Sequence, residues 1–136
     1  MPVLREALLP SPTLRRKLFQ VEFLSTLSGD LLVSLVYHRQ LDADWEAAAK
    51  ELEAQLDAHI IGRARKQKLV LSQDYVDEVL PQAQGHYRYR QYEQGFTQPN
   101  GAVNCRMIDW ACQQATGLGG DLLELYCGNG NFSLPL

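Results

Sequence analysis

The chain has 136 residues, 46% of them hydrophobic and 21% charged, with a formal net charge of −3. That length allows one domain, or one domain with part of a second, and the composition is that of an ordinary globular protein. Apolar runs are broken within a few residues, which excludes a stretch of roughly 20 apolar residues able to cross a bilayer.

The N-terminus lacks the basic-then-apolar order of a secretory signal, so a cytoplasmic location is the expectation. Cys105, Cys112 and Cys127 fit neither a zinc spacing nor a disulfide framework and are read as reduced thiols, with no metal expected. Charge is unevenly spread: residues 1–68 hold ten basic and nine acidic side chains, residues 69–136 three and seven. The basic character therefore sits in the first half, where whole-chain acidity hides it.

Residues 18–27 and 31–38 are rich in β-branched and aromatic side chains and flank Ser28, Gly29 and Asp30. This predicts a β-hairpin, with Leu31, Val33, Leu35 and Tyr37 on one face toward a core. From Asp42 the period changes. Trp45, Ala48, Ala49, Leu52 and Leu56 recur at three and four, which predicts an amphipathic helix with Asp42 as its N-cap. Residues 58–62 then read as a returning strand. Arg63, Arg65, Lys66 and Lys68 follow with no acid among them, ahead of a short apolar run at 69–71. Residues 87–92 predict another strand, and the order β-β-α-β with further strands gives a mixed α/β layer.

Residues 98–101 predict a turn, and beyond it Val103, Met107, Ala111 and Ala115 fall on one face of a helix closed by glycines near 117–120. Cys105 and Cys112, seven apart, share another face and read as core. Residues 121–126 have the short, mostly apolar pattern of a strand in a parallel sheet, and Gly128, Asn129 and Gly130 follow as a Gly-rich loop. Strand then Gly-rich loop is how an open α/β sheet builds a cofactor site, its glycines allowing close backbone approach. It is a poor dinucleotide fingerprint, because Ser133 stands where a third Gly belongs. Six residues remain after Gly130, against on the order of 30 for a further βαβ unit. A fragment or a truncated frame is the expectation.

The wording around this loop is more specific than its glycines. Leu123-Glu-Leu-Tyr-Cys-Gly-Asn-Gly-Asn-Phe-Ser-Leu134 resembles the first cofactor motif of the RNA uracil-C5 methyltransferases. Phe96-Thr-Gln-Pro-Asn100 is similar to the family segment that folds over the methionine end of S-adenosylmethionine. Leu14-Arg-Arg-Lys-Leu-Phe-Gln20, Ile61-Gly-Arg-Ala-Arg-Lys66 and Gln73-Asp-Tyr-Val-Asp-Glu-Val-Leu-Pro81 resemble the tRNA (uracil-5-)-methyltransferase branch, which modifies the T-loop uridine of tRNA. The resemblance covers nearly the whole chain.

It implies an α/β RNA-facing domain over residues 1–95, with tRNA as partner, and the start of a Rossmann-like S-adenosylmethionine methyltransferase domain over 96–136. It further implies that Gln98, Tyr126 and Asn131 contact S-adenosylmethionine while Gly128 and Gly130 shape the loop. Taken singly, Gln98 or Asn131 could instead cap a helix and Tyr126 could be a strand-end aromatic. Arg15, Arg16, Lys17, Arg63, Arg65, Lys66 and Lys68 are candidate phosphate contacts, with a solvated charged face as the alternative. Phe19 resembles a family aromatic near the target base, the alternative being burial within the hairpin. Tyr87, Tyr89 and Tyr92, interleaved with Arg88 and Arg90, could stack on bases or belong to a sheet. The implied chemistry is covalent, through a Cys that adds to uracil C6 and a carboxylate base that removes the C5 proton. Both groups lie downstream of the first cofactor motif in the family, so this chain is expected to be inactive alone, with Cys127 a packing residue. A noncatalytic RNA-binding module and a remnant of a disrupted gene are the competing expectations.

Overall fold

The computed structural model describes residues 2–83 and 85–136. It divides into two compact units, the first comprising Met1–Ser25 and Leu31–Val76, the second Thr26–Asp30 and Asp77–Leu136.

In the first unit, helices α1 (Pro2–Leu8) and α2 (Pro12–Arg15) precede strands β1 (Leu18–Ser25) and β2 (Leu31–Tyr37). Ser11 starts α2: its hydroxyl accepts from Leu14 N–H at 3.4 Å, and Pro12 brings a φ already suited to a first helical turn. Strands β1 and β2 form the expected antiparallel hairpin, with Leu18 opposite Tyr37, Ser25 opposite Leu31 and a bulge between Leu18 and Gln20. Helix α3 (Ala43–Leu56) follows, and the side chain of Asp42 accepts from Trp45 N–H at 2.9 Å as the predicted N-cap. It carries the chain to β3 (His59–Ala64), which lies parallel to β2, and β4 (Gln67–Val70) pairs antiparallel with β3. The sheet order is β1-β2-β3-β4.

Both faces of β2 are buried, where one buried face was expected. Val33, Leu35 and Tyr37 pack with Ile60 under Trp45, Ala49 and Leu52 of α3, joined by Leu4 and Leu14 of the first two helices. Leu32 points the other way, into a smaller cluster with Ile61, Val76 and the half-buried Leu24. Gly62 lets α3 sit down on the sheet. A Cβ there would lie 2.3 Å from Trp45 Cη2 and 2.5 Å from Leu41 Cδ1.

Strand β5 (Tyr75–Gln82) runs from the first unit into the second, where it pairs with β6 (Gly85–Tyr92) in a separate two-stranded sheet. Helix α4 (Gly101–Ala115) begins at Asn100, whose side chain accepts from Val103 N–H at 3.0 Å. The core here is Leu80, Tyr89 and Ile108, with Tyr87, Cys105, Cys112 and Phe132 packed on it. Helix α4 thus buries Asn104 and Ile108, with both cysteines alongside. Of the predicted row Val103, Met107, Ala111 and Ala115, Val103 and Met107 are exposed and Ala111 and Ala115 half-buried; the first three, with exposed Trp110, line an open, largely apolar surface beside the buried face. The hairpin tip belongs to this unit. Leu27 N–H donates to both oxygens of the buried Glu78 carboxylate at 3.0 and 3.1 Å.

The strand expected over 121–126 is not formed. A parallel strand needs neighbours for its N–H and C=O groups, and among the described residues none lies beside this segment. The chain instead passes into consecutive turns, closed by Gly130 N–H to Cys127 O at 2.9 Å and Leu134 N–H to Gly130 O at 3.1 Å. The fold is mixed α/β, with the Gly-rich loop present and the strand before it absent.

Candidate functional site

In the second unit, residues 96–98, 124–129, 131 and 132 line a cleft of about 170 Å3 with Gln91 at its side. Four of the five residues assigned to the cofactor, Gln98, Tyr126, Gly128 and Asn131, line it together. Gly130 does not; it closes the turn from Cys127. Gly128 and Gly130 have φ of +58° and +82°, which glycine adopts without penalty, but Tyr126 has φ +60°. A bulky residue in that region costs on the order of 1–2 kcal/mol. The Tyr126 side chain is fully exposed at the cleft's edge.

Neither capping alternative holds. Asn100 caps α4, and Asn131 forms a reciprocal amide pair with buried Asn104, each Nδ2 donating to the other Oδ1 at 2.8 Å. A primary amide has two donors and two acceptor lone pairs, so Asn131 retains one of each for a ligand. The loop is pinned a second time by Tyr89, whose hydroxyl donates to Asn131 O at 3.2 Å. Glu124 adds a carboxylate to the lining and accepts a hydrogen bond from Ser133 Oγ. This donor set suits a ligand that carries both an ammonium and a carboxylate. The volume suffices for such a group and not for a whole larger ligand, whose pocket would run to about 300–1,000 Å3. Asn104 has no sequence signal of its own; Tyr89 was legible only as a sheet or base-stacking aromatic and Glu124 only as part of the loop motif, because each acts through a partner elsewhere in the chain.

Burial pushes the Tyr89 phenol up to about 12, with Tyr87, Glu124 and Cys112 adding to the rise. The unfolded phenol ionises near 10, so its contribution to stability is complete below pH 10 and is lost as pH rises toward 12. Absorbance at 295 nm should therefore show a late tyrosine ionisation that Tyr89→Phe removes. A titration unchanged by that substitution would contradict the assignment. Burial likewise raises the Cys105 thiol, with Asp109 and Glu78 adding to the shift, while Cys127 is exposed. Among the described residues no group of three or more His, Cys, Asp or Glu could hold a metal ion, and no helix is long and apolar enough to cross a membrane.

The first unit carries the other candidate surface. Phe19 is 63% exposed, which removes burial in the hairpin as an explanation for it. Its ring lies 4.3 Å from that of His38 at an interplanar angle of 54°. Around this pair an open concavity of about 670 Å3 is lined by Arg39, Gln40, Arg63 and Arg65. Arg15, Arg16 and Lys17 are exposed immediately before β1. Lys66 occupies the β3–β4 turn with φ +60°, and Lys68 is engaged by Asp74 at 2.8 Å. Of the aromatics in β6, Tyr89 belongs to the core and Tyr87 packs against it, and Arg90 forks onto Asp77 at 3.0 and 3.2 Å. His38 and Arg39 went unread in the sequence, where each stands alone at the end of a strand.

The family profile of tRNA (Uracil-5-)-methyltransferases matches residues 1–136. The chain is 60% identical over all 136 residues to a tRNA/tmRNA (uracil-C(5))-methyltransferase of Aromatoleum aromaticum, covering 37% of that protein. Proteins of the same name from Neisseria meningitidis serogroup B and Pseudomonas syringae pv. syringae are each 58% identical over the whole chain, which covers 38% of each. The chain thus spans a little over a third of the length of these relatives.

Proposed function

The chain belongs to the tRNA (uracil-5-)-methyltransferase family, and from that premise we propose that it supplies the RNA-facing surface and one end of the S-adenosylmethionine site for methylation of uracil C5 in the T-loop of tRNA, giving 5-methyluridine. The observation that carries the reading is the cleft where Gln98 converges with Tyr126, Gly128 and Asn131, at least 28 positions further along the chain. When bound, S-adenosylmethionine supplies the methyl group. Gln98 and the spare donor and acceptor of Asn131 hold its amino-acid end, Tyr126 covers its apolar part, and Gly128 and Gly130 keep the loop tight.

Residues 1–95 face RNA and 96–136 open a Rossmann-like cofactor domain, a division by role that differs from the division by compactness. Phe19, with His38 behind it, stacks on an extruded base, and the cations at 15–17, 63, 65, 66 and 68 meet phosphate. The setting is the cytoplasm, where tRNA is modified. None of the three cysteines serves as nucleophile: Cys105 and Cys112 pack on the core, and Cys127, exposed at the cleft rather than packed as expected, lies in the first cofactor motif, upstream of the one that carries the family's nucleophile. A second reading, a noncatalytic RNA-binding module, draws on the first unit alone, whose core closes around Trp45 and bears the exposed Phe19.

A fluorescent T-arm hairpin tests the proposal. The 136-residue chain is expected to bind it in preference to an unrelated hairpin, and Phe19→Ala to weaken binding by ~1–3 kcal/mol, the worth of one base stacked on an aromatic ring. The same chain with S-adenosylmethionine should transfer no methyl group and show no calorimetric binding. Equal affinity for both hairpins would remove the RNA reading; turnover or micromolar cofactor affinity would mean the rest of the site has been misplaced.

A further inference from the structure

Three consecutive residues at the end of β2 capture four carbonyls of the segment that carries Arg15, Arg16 and Lys17. Tyr37 donates its hydroxyl to Leu14 O at 2.8 Å, and His38 N–H donates to Lys17 O at 3.0 Å. Arg39 donates Nε–H to Arg16 O at 3.2 Å and Nη2–H to Thr13 O at 2.8 Å. Its Nη1 donates to Gln40 O at 3.0 Å and to Asp42 Oδ2 at 3.3 Å. Four of the five guanidinium N–H groups are thereby used inside the protein, and the side chain is 13% exposed.

The segment needs such a brace. Helix α2 is a single turn of four residues, too short to hold itself, and Lys17 has φ +57°, a conformation that bulky residues avoid. Each captured group is a backbone carbonyl, so the brace leaves the three cationic side chains free to reach outward, immediately before Phe19. We propose that Arg39 is a positioning residue for RNA: it fixes the backbone from Thr13 to Lys17 so that Arg15, Arg16 and Lys17 meet phosphates as one preset unit. This rests on the RNA-facing reading of the first unit. Lysine cannot substitute, because one ammonium on a flexible stem cannot reach carbonyls of two residues three apart while also facing Asp42.

The test uses the full chain, a T-arm hairpin and a salt series. Each phosphate contact contributes about 0.9 to the slope of log K against log salt on duplex and about 0.7 on single strands. Arg39→Lys keeps its charge, yet is expected to weaken binding roughly tenfold or more and to flatten the slope by the worth of about two to three phosphates. A variant with Arg15, Arg16 and Lys17 all changed to Gln should flatten it equally, and adding Arg39→Lys to that variant should change the slope no further. A slope kept by Arg39→Lys and reduced by about one in Arg39→Gln would make Arg39 a direct phosphate contact and overturn the proposal.

Limited trypsin digestion separates this from the RNA reading. Wild type should resist cleavage after Arg15, Arg16 and Lys17 although all three are exposed, and Arg39→Lys should be cut there at least about tenfold faster, the same factor expected for affinity. If wild type is cut as fast as an unstructured peptide, or Arg39→Lys as slowly as wild type, there is no brace. If wild type ignores the hairpin while the trypsin result holds, the brace stands and its role in RNA positioning falls with the reading beneath it.

Discussion

Trp45→Ala lowers the stability of the first unit by ~3–5 kcal/mol, the range for deleting a buried aromatic from a packed core. The indole is completely buried, meets the Tyr37 ring edge-on at 5.9 Å and 81°, and covers Gly62. No neighbour is placed to refill its volume, since the strands beneath are fixed by their ladders and α3 is held at its start by Asp42. A domain has only about 5–15 kcal/mol in hand, so the variant should be partly unfolded at modest urea. Urea unfolding followed by far-UV circular dichroism reads this without depending on the lost fluorophore. Trp110→Ala is the control: that side chain is 64% exposed, and its removal should stay within about 0.5 kcal/mol. Similar losses from the two substitutions would mean α3 does not pack as described.

Gly62→Ala is the converse, an added methyl where none fits. Its Cβ would fall 2.3 and 2.7 Å from the Cη2 and Cζ2 atoms of Trp45, a rigid ring that cannot fold aside. Gly62 does not have a positive φ, so the backbone itself would accept alanine, and the unfolded chain alone would favour the change by about 0.4–1 kcal/mol. The expected loss of ~3 kcal/mol, the upper part of the usual overpacking range, is therefore steric. Shortening the ring should relieve it. Trp45→Phe combined with Gly62→Ala is expected to be more stable than the two single losses predict, by ~1–3 kcal/mol of coupling. Strict additivity in the double-mutant cycle would show that the clash lies elsewhere.

Much of the first unit was legible because its signals are local. Gly29 in a turn between β-branched runs gives the hairpin, and Trp45, Ala49 and Leu52 behind Asp42 give α3 with its N-cap. Strand β5 was hidden by chemistry: its buried positions are Val76, Glu78 and Leu80, and a carboxylate inside breaks the apolar alternation. Strand β4 was hidden by the basic run over 63–68, which reads as one charged segment until the turn at Lys66 folds it back. The inward face of α4 was legible through Cys105 and Cys112, but Asn104 beside them was not, because an amide is a core residue only when another amide answers it. The strand at 121–126 has strand composition without a neighbour, and composition cannot supply the missing hydrogen bonds. Gln98, Tyr126 and Asn131 were singled out only through the resemblance. Arg39, whose partners are carbonyls 23 and 26 residues away, could not be read at all.

The sheet of the first unit ends on β1 and β4, and open strands are templates on which a second molecule can extend the sheet. Strand β4 offers only four residues, one of them Lys68. Strand β1 is twice as long, but the bulge at its first residues bends it out of register, and Gln20 and Glu22, joined by a hydrogen bond at 2.9 Å, lie along it. A straight foreign strand would meet a kinked ladder and a carboxylate. The same irregularity lies where Phe19 stands, so one short stretch of β1 both carries the exposed ring and discourages pairing with a second chain.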